Sequence, residues 1–434
     1  MTHRAPAGRR LEVEGLARVE GEGAMLVDIE DGVVSNVQLR IYEPPRFFEA
    51  FLVGRAYTEP ADITARICGI CPVAYQMSAC LALEDACGVR VDGPLHDLRR
   101  LLYCGEWIES HTLHVHLLHA PDFLGFDGAI DLAQAHRAEV ERGLELKKIG
   151  NEIVEVVGGR AIHPVNVRLG GFYRLPTRKE RRDLRERVLR AIDLATEVVA
   201  WVGGFDFPEL THDHEMVALV DPDRYGVMDG RVVSDRGLDV DAAGFGAAIA
   251  EEQVPWSTAL HAHLLERGNY LVGPMARLAL GYDNLLPPAR EAAQAVGLGP
   301  DTRNPFRSIV TRAVETLHAC VEALEILDGW EDPDAPAVPV EPRAGEGHGV
   351  TEAPRGLLYH RYVLDEDGTI LEVQITPPTS QNQATIEHDL FHLVERSLDL
   401  DDLSLQHLAE QAIRNYDPCI SCATHFLDME VRRR

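Results

Sequence analysis

Four of the eight cysteines in this chain fall into two tight pairs. Two residues between cysteines is the spacing at which one turn can aim both sulfurs at a single ion. The first pair is Cys68 and Cys71, in Arg66-Ile67-Cys68-Gly69-Ile70-Cys71-Pro72. The second is Cys419 and Cys422, in Asp417-Pro418-Cys419-Ile420-Ser421-Cys422-Ala423-Thr424-His425. Gly69 permits the turn, and Pro72 and Pro418 stiffen its flanks. Four thiolates could then enclose zinc, an iron–sulfur cluster or nickel, all of which accept soft sulfur donors. Taken alone, two such pairs most often mean a closed structural zinc site. Zinc ribbons, however, hold their pairs about twenty residues apart, whereas these lie at opposite ends of the chain. The flanks also carry Arg66, Asp417 and His425, charged or ionisable groups that a closed site does not need. A thioredoxin-like redox pair is disfavoured, because no βαβ pattern surrounds either motif.

Other chemistry-bearing residues read more plainly. His111, His114, His116 and His119 crowd one candidate helix. His111 and His114 share a face at i, i+3, so they could meet a metal. We read them instead as packed or hydrogen-bonded helix histidines near the site, able to assist proton movement. Cys80, Cys87, Cys104 and Cys320 read as small core residues.

The elements that must position these groups show in the pattern. Met25 to Tyr42 reads as two β-runs joined at Asp31-Gly32, and Asp367-Gly368 marks a second hairpin between Leu357–Leu364 and Thr369–Ile375. Apolar residues at steps of three and four predict helices over Arg181–Val202, through Leu184, Val188, Ile192, Ala195 and Val199, and over Phe306–Leu327. Leu101–His119 is a third candidate helix. Glu331–Gly349, rich in Pro, Gly, Asp and Glu, reads as a surface connection. The expected fold is α+β and predominantly helical, a central helix bundle with small β-sheets near the N- and C-terminal parts. We expect one domain over 1–434: β-rich 11–60, helical 61–330, a connection 331–349, and a C-terminal hairpin and cysteine motif 350–425, followed by 426–434.

Composition narrows the partners. The chain has 434 residues, 45% hydrophobic and 26% charged, with a formal net charge of −28. So acidic a surface repels nucleic acid and anionic lipid. No apolar run is long enough to span a bilayer. Met1–Arg10 is basic but lacks the apolar stretch of a secretory signal, so the expected compartment is the cytoplasm.

The cysteine flanks resemble those of nickel–iron hydrogenase large subunits, and the likeness runs through the chain. Between the two motifs and before them come Arg18-Val19-Glu20-Gly21, Gly158-Gly159-Arg160 with His163-Pro164, Gly273-Pro274-Met275-Ala276-Arg277, Glu352-Ala353-Pro354-Arg355-Gly356 and Pro378-Thr379-Ser380-Gln381-Asn382. Each segment alone is weak; together, in the family's order, they are specific. The resemblance implies nickel held by Cys68, Cys71, Cys419 and Cys422. Cys71 and Cys422 would be shared with an iron carrying cyanide and carbon monoxide. It also implies that dihydrogen is split heterolytically, with Cys419 the first proton acceptor and Glu20 passing the proton onward. Arg355 would stand above the open metal face. Thr379 would donate to a cyanide, and Pro378 would line that pocket. Glu49, which precedes Phe51-Leu52-Val53-Gly54-Arg55, would hold a magnesium or iron ion together with His425 and the carbonyl near Ile375.

The chain also departs from the pattern. Tyr75 stands where many members carry a histidine four residues after the first motif, which puts in doubt a hydrogen bond near the bridging sulfur. Tyr75, Gln76 and Ser380-Gln381 resemble the NAD(P)-linked, sulfhydrogenase-like members. The resemblance implies that a maturation endopeptidase removes Phe426–Arg434. No dinucleotide fingerprint and no further cysteine cluster is present. The expected partners are therefore an iron–sulfur small subunit, with flavin- and NAD(P)-binding and additional iron–sulfur subunits beyond it. The alternatives are the same core coupled to sulfur or deazaflavin reduction, or a non-catalytic relative like the quinone-site subunit of complex I.

Overall fold

The computed structural model describes residues 8–211 and 213–424. The N-terminal sheet runs β1 (Arg9–Val13), β2 (Gly23–Glu30) and β3 (Val33–Ile41), antiparallel in that order. Asp31 and Gly32 turn β2 into β3 with φ of 50° and 78°, both positive, as the favoured two-residue hairpin turn requires.

The centre is a ring of four helices. They are α2 (Pro94–Leu113), α3 (Arg137–Gly158), α4 (Arg178–Gly203) and α5 (Ser308–Asp328), with α1 (Pro72–Cys87) beside them. Helix α2 packs on α3, α3 on α4, α4 on α5, and α5 back on α2. Along α4, Leu184, Val188, Ala195 and Val199 are buried and Ile192 packs partly buried against the same core, as the spacing predicts. The helix starts three residues earlier than Arg181 because Thr177 and Glu180 form a reciprocal capping box. Past Leu113, α2 continues into a wider π-helical turn over His114–His119, so the third predicted helix is continuous but changes pitch.

Two expectations need correction. The span 61–330 is not wholly helical. A four-stranded sheet of Tyr270–Leu271, Glu215–Val220, Arg231–Ser234 and Asp239–Val240 interrupts it, as does the pair Ile249–Gln253 and Leu260–Leu264. Residues Glu215 to Leu219 are buried without alternation, so the strand carries no period-two signal. The connection 331–349 also ends early, because β4 (Gly345–Ala353) begins inside it. Its glycines are packing residues, not loop residues. A Cβ at Gly347 would come within 2.0 Å of the Ala82 carbonyl oxygen, and one at Gly349 within 2.4 Å of that of Ser78, both on α1.

Strands β4, β5 (Gly356–Leu364) and β6 (Ile370–Thr376) form an antiparallel meander in chain order. The second expected hairpin is present, but its turn is longer. The Asp365 carboxylate accepts from the Asp367 and Thr369 amides, and only Gly368 needs positive φ there. Helix α6 (Pro378–Arg396) packs on β3, and α7 (Asp402–Arg414) leads into the second cysteine pair. No helix among the described residues is long and apolar enough to cross a membrane.

Candidate metal centre

The topology brings the two ends of the chain together. Cys68, Cys71, Cys419 and Cys422 are all buried, and their sulfurs lie within 4.8 Å of one another. Cys68 Sγ is 3.5 Å from Cys419 Sγ, and Cys71 Sγ is 3.7 Å from Cys422 Sγ. An ion bound tetrahedrally at the usual metal–thiolate distance would hold its sulfurs about 3.8 Å apart, close to these two spacings, whereas Cys419 Sγ and Cys422 Sγ are nearer each other at 2.6 Å and would have to part around it.

Each half of the centre is positioned by identifiable groups. Cys71 immediately precedes α1, whose first residue is Pro72, suited to an N-terminus where no amide donor is needed. The Ile70 and Cys71 amides donate to Cys68 Sγ at 3.3 and 3.4 Å. Glu106, from α2, accepts from the Val73 and Ala74 amides at 2.6 and 3.1 Å, satisfying two otherwise orphaned donors of α1. On the other side, Asp417 takes a left-handed φ of 49°, a strained conformation for a non-glycine residue. Arg355, in the β4–β5 turn, holds it there: Nε donates to the Asp417 carbonyl at 2.6 Å and Nη2 to its Oδ1 at 3.0 Å. The Cys419 amide donates to Thr379 Oγ1 at 3.0 Å, and Thr379 follows Pro378 at the start of α6. One guanidinium joins the halves: Arg46 Nη1 reaches the carbonyls of Ile67 (2.6 Å) and Ser421 (3.1 Å), and Nη2 that of Arg66 (3.1 Å).

The donor chemistry fits a cation. Hydrogen bonds from the three neighbouring thiols hold Cys68 well below the usual thiol range, while burial pushes Cys419 and Cys422 well above it. Four buried thiols cannot all ionise beside one another unless positive charge joins them. Two further buried atoms, Arg355 Nη1 and Asp417 Oδ2, have no hydrogen-bond partner among the described residues. Such orphaned groups at a buried centre fit a polar ligand beside the metal.

The expected site residues sort clearly. Glu20 stands against the centre: Oε2 is 3.1 Å from Cys419 Sγ and accepts from the Ser421 amide at 3.1 Å, and the Ile420 amide donates to the Glu20 carbonyl. Glu49 Oε1 accepts from the Ile375 amide at 2.6 Å. Glu49, Ile375, Cys422 and Thr424 line one cavity of about 150 Å³. His425 and Phe426–Arg434 lie outside the described residues. Tyr75 is buried and its hydroxyl has no partner among the described residues; burial first, then the nearby Cys422 and Cys71, push its phenol well above the usual range.

Among the described residues, the four helix histidines belong to no metal-ligating group. His111 pairs with Glu315 at 3.0 Å, His114 Nε2 meets the Arg414 carbonyl at 2.7 Å, and His116 stacks on Trp201. Burial lowers all four below the usual imidazole range, which keeps them neutral. Cys80, Cys87, Cys104 and Cys320 are buried outside the cluster. Arg46 and Glu106 were not singled out from sequence. Arg46 follows Pro-Pro and reads as a surface cation, and Glu106 lies within an amphipathic helix with nothing local to mark it.

Comparisons with known proteins follow this geometry. The family described as nickel-dependent hydrogenase matches residues 46–146 and 270–425. The chain is 33% identical to sulfhydrogenase 1 subunit alpha of Pyrococcus furiosus, over 96% of this chain and 97% of that one. It is 29% identical to the NAD-reducing hydrogenase HoxS subunit beta of Cupriavidus necator, over 96% and 95%. Among solved structures, an NAD+-reducing [NiFe]-hydrogenase in the H2-reduced state superposes with a TM-score of 0.85 at 28% identity, covering 96% of this chain and 99% of that one.

Proposed function

The chain belongs to the nickel-dependent hydrogenases as a large, catalytic subunit, and from that premise we propose how its own residues serve the reaction. Cys68, Cys71, Cys419 and Cys422 would hold the nickel, and Cys71 and Cys422 would also serve an iron carrying cyanide and carbon monoxide. When bound, this centre supplies Lewis-acid polarisation of dihydrogen and the redox capacity for its two electrons. Cys419 accepts the proton at Sγ and passes it to Glu20 Oε2. Glu20 is held ready by the Ser421 amide, which fixes its carboxylate without occupying both oxygens. Arg355 keeps Asp417 and the second cysteine loop in place with two of its nitrogens, and its buried Nη1 has no partner among the described residues. The Thr379 hydroxyl accepts from the Cys419 amide and keeps its own proton, which it would donate to a cyanide nitrogen. Pro378 supplies the adjoining apolar wall. Glu49 and the Ile375 carbonyl, with His425, would hold a magnesium or iron ion, which would supply structural bracing.

The observation that carries this reading is the contact of Glu20 with Cys419 inside a four-sulfur cluster. A structural zinc site needs no carboxylate against one of its sulfurs. Electrons leave through an iron–sulfur small subunit, and further flavin and iron–sulfur subunits carry them to NAD(P) in the cytoplasm. A maturation endopeptidase removes Phe426–Arg434. The likeness to the Pyrococcus sulfhydrogenase favours one second reading, in which the same core delivers electrons to sulfur. Infrared absorption of the purified holoenzyme tests the centre. Bands of metal-bound carbon monoxide and cyanide are expected; their absence from protein that turns over hydrogen would refute the iron assignment.

A further inference from the structure

A second cluster of ligating side chains gathers away from the cysteine motifs. His214, His388 and Asp389 place one ligand atom each within 4.8 Å of one another. We propose that they form a second metal site, for a borderline divalent ion of the zinc class, which ties the segment before the strand Glu215–Val220 to α6.

The donors come from two separate elements. His214 Nε2 lies 2.6 Å from Asp389 Oδ1, and His388 Nδ1 lies 3.8 Å from the same oxygen. The His214 and His388 rings meet edge to face at 5.1 Å. One helical turn on, His392 Nε2 stands 3.2 Å from His388 Nε2. His392 thus meets the other ring nitrogen of His388 and stands outside the three-donor group. Imidazole and carboxylate donors suit zinc and its neighbours better than magnesium or calcium. An ion with ligands at zinc distances holds its donors roughly 3.3 Å apart. The His388 side chain, 46% exposed, can rotate toward such an ion, while His214, at 10%, and Asp389, at 2%, already face each other.

Asp389 is locked by the Tyr416 hydroxyl, which bonds its Oδ2. A hydrogen bond of this kind orients a metal-binding carboxylate from behind. Tyr416 precedes Cys419 by three residues, so an ion here braces the segment that delivers the second cysteine pair. None of these donors is shared with the cysteine centre, and failure of this proposal leaves the hydrogenase reading untouched.

The test uses the purified holoenzyme, with its cysteine centre filled, equilibrated against buffered Zn2+. Bound zinc is counted per chain, and zinc-edge X-ray absorption reads its ligands. One zinc per chain is expected, with nitrogen and oxygen ligands and no sulfur. Outer hydrogen bonds to a metal ligand are worth about 10–100-fold in affinity, so Tyr416→Phe should weaken binding by that factor and His388→Ala by at least as much. His388 and His392 are partly exposed, so a His388→Ala/His392→Ala protein should fold, and zinc should raise the thermal midpoint of the parent protein and not of this variant. Absence of stoichiometric zinc, zinc bound only by sulfur, or unchanged affinity in the double variant would each overturn the site.

Discussion

Glu20 Oε2 and Cys419 Sγ, 399 residues apart in the chain, lie 3.1 Å from each other. A short backbone pairing between the same two residues holds this contact in register. The loop carrying Glu20 and the segment carrying Cys419 are therefore joined at the backbone, which brings the Glu20 carboxylate to the sulfur.

Glu20→Gln should separate proton transfer from metal binding. The amide keeps the size of the side chain and an acceptor for the Ser421 amide but cannot relay a proton. Hydrogen turnover should fall by about 10²–10⁴-fold, the usual worth of a positioned acid–base group. Nickel and iron contents, read by elemental analysis, should stay at the parent level. Full turnover in this variant would remove Glu20 from the path.

Arg46 ties the two cysteine loops through three carbonyls. Hydrogen bonds from a charged donor are worth about 1.5–3 kcal/mol each. Arg46→Ala should leave the four thiols in place yet let the loops part, so nickel should be lost to a chelator at least about tenfold faster. Nickel retention equal to that of the parent would show that the cysteines alone hold the halves together.

Gly347→Ala tests the seat of α1, the helix that begins directly after Cys71. The added methyl would meet the Ala82 carbonyl and the Ala86 amide, both backbone and unable to rotate aside. Overpacking of this kind costs about 1–3 kcal/mol. A lower thermal midpoint and a weaker denaturation midpoint are expected, with Gly32→Ala unsuitable as a control because the φ of Gly32, unlike that of Gly347, is positive. Gly299, which has open space at the Cβ position, is the appropriate comparison, and its alanine variant should lose far less.

The acid limb of stability should depend on Glu322. Burial pushes its carboxyl up, but the Arg100 guanidinium, at 2.5 Å, and His318 outweigh that and hold it at about 2 against an ordinary 4.5. A depressed carboxylate contributes stability that is complete above its unfolded pKa and is lost as pH falls through the folded one. The contribution is roughly 3 kcal/mol. The stability gap between parent and Glu322→Gln should be widest near neutrality and narrow as pH drops below 4.5 towards 2. Urea denaturation at several pH values measures it, and a gap that does not change with pH would contradict the assignment.

Much of the centre was legible in the sequence because cysteine spacing is a local signal with few meanings. The two pairs, Glu20, Arg355 and Thr379 were all found from motifs and all lie around one point. The groups that fasten those motifs were not legible. Arg46 and Glu106 act across long stretches of chain on backbone atoms, which leave no pattern in side-chain type. The strand Glu215–Val220 is buried on both faces and so shows no alternation. The glycines of β4 imitate a loop because close packing of a strand on a helix and flexibility of a loop call for the same residue. Tyr75 shows the reverse case: its departure from the family pattern was plain, and its hydroxyl lies in the core near the cysteines with no partner among the described residues.

Nickel-edge X-ray absorption of the purified enzyme, compared with a Cys71→Ser variant, tests the account most directly. The parent should show nickel in a shell dominated by sulfur, near four per metal, and the variant should lose nickel or show fewer sulfurs. Nickel bound by nitrogen and oxygen alone, or a nickel-free parent carrying zinc on the same four sulfurs, would contradict it.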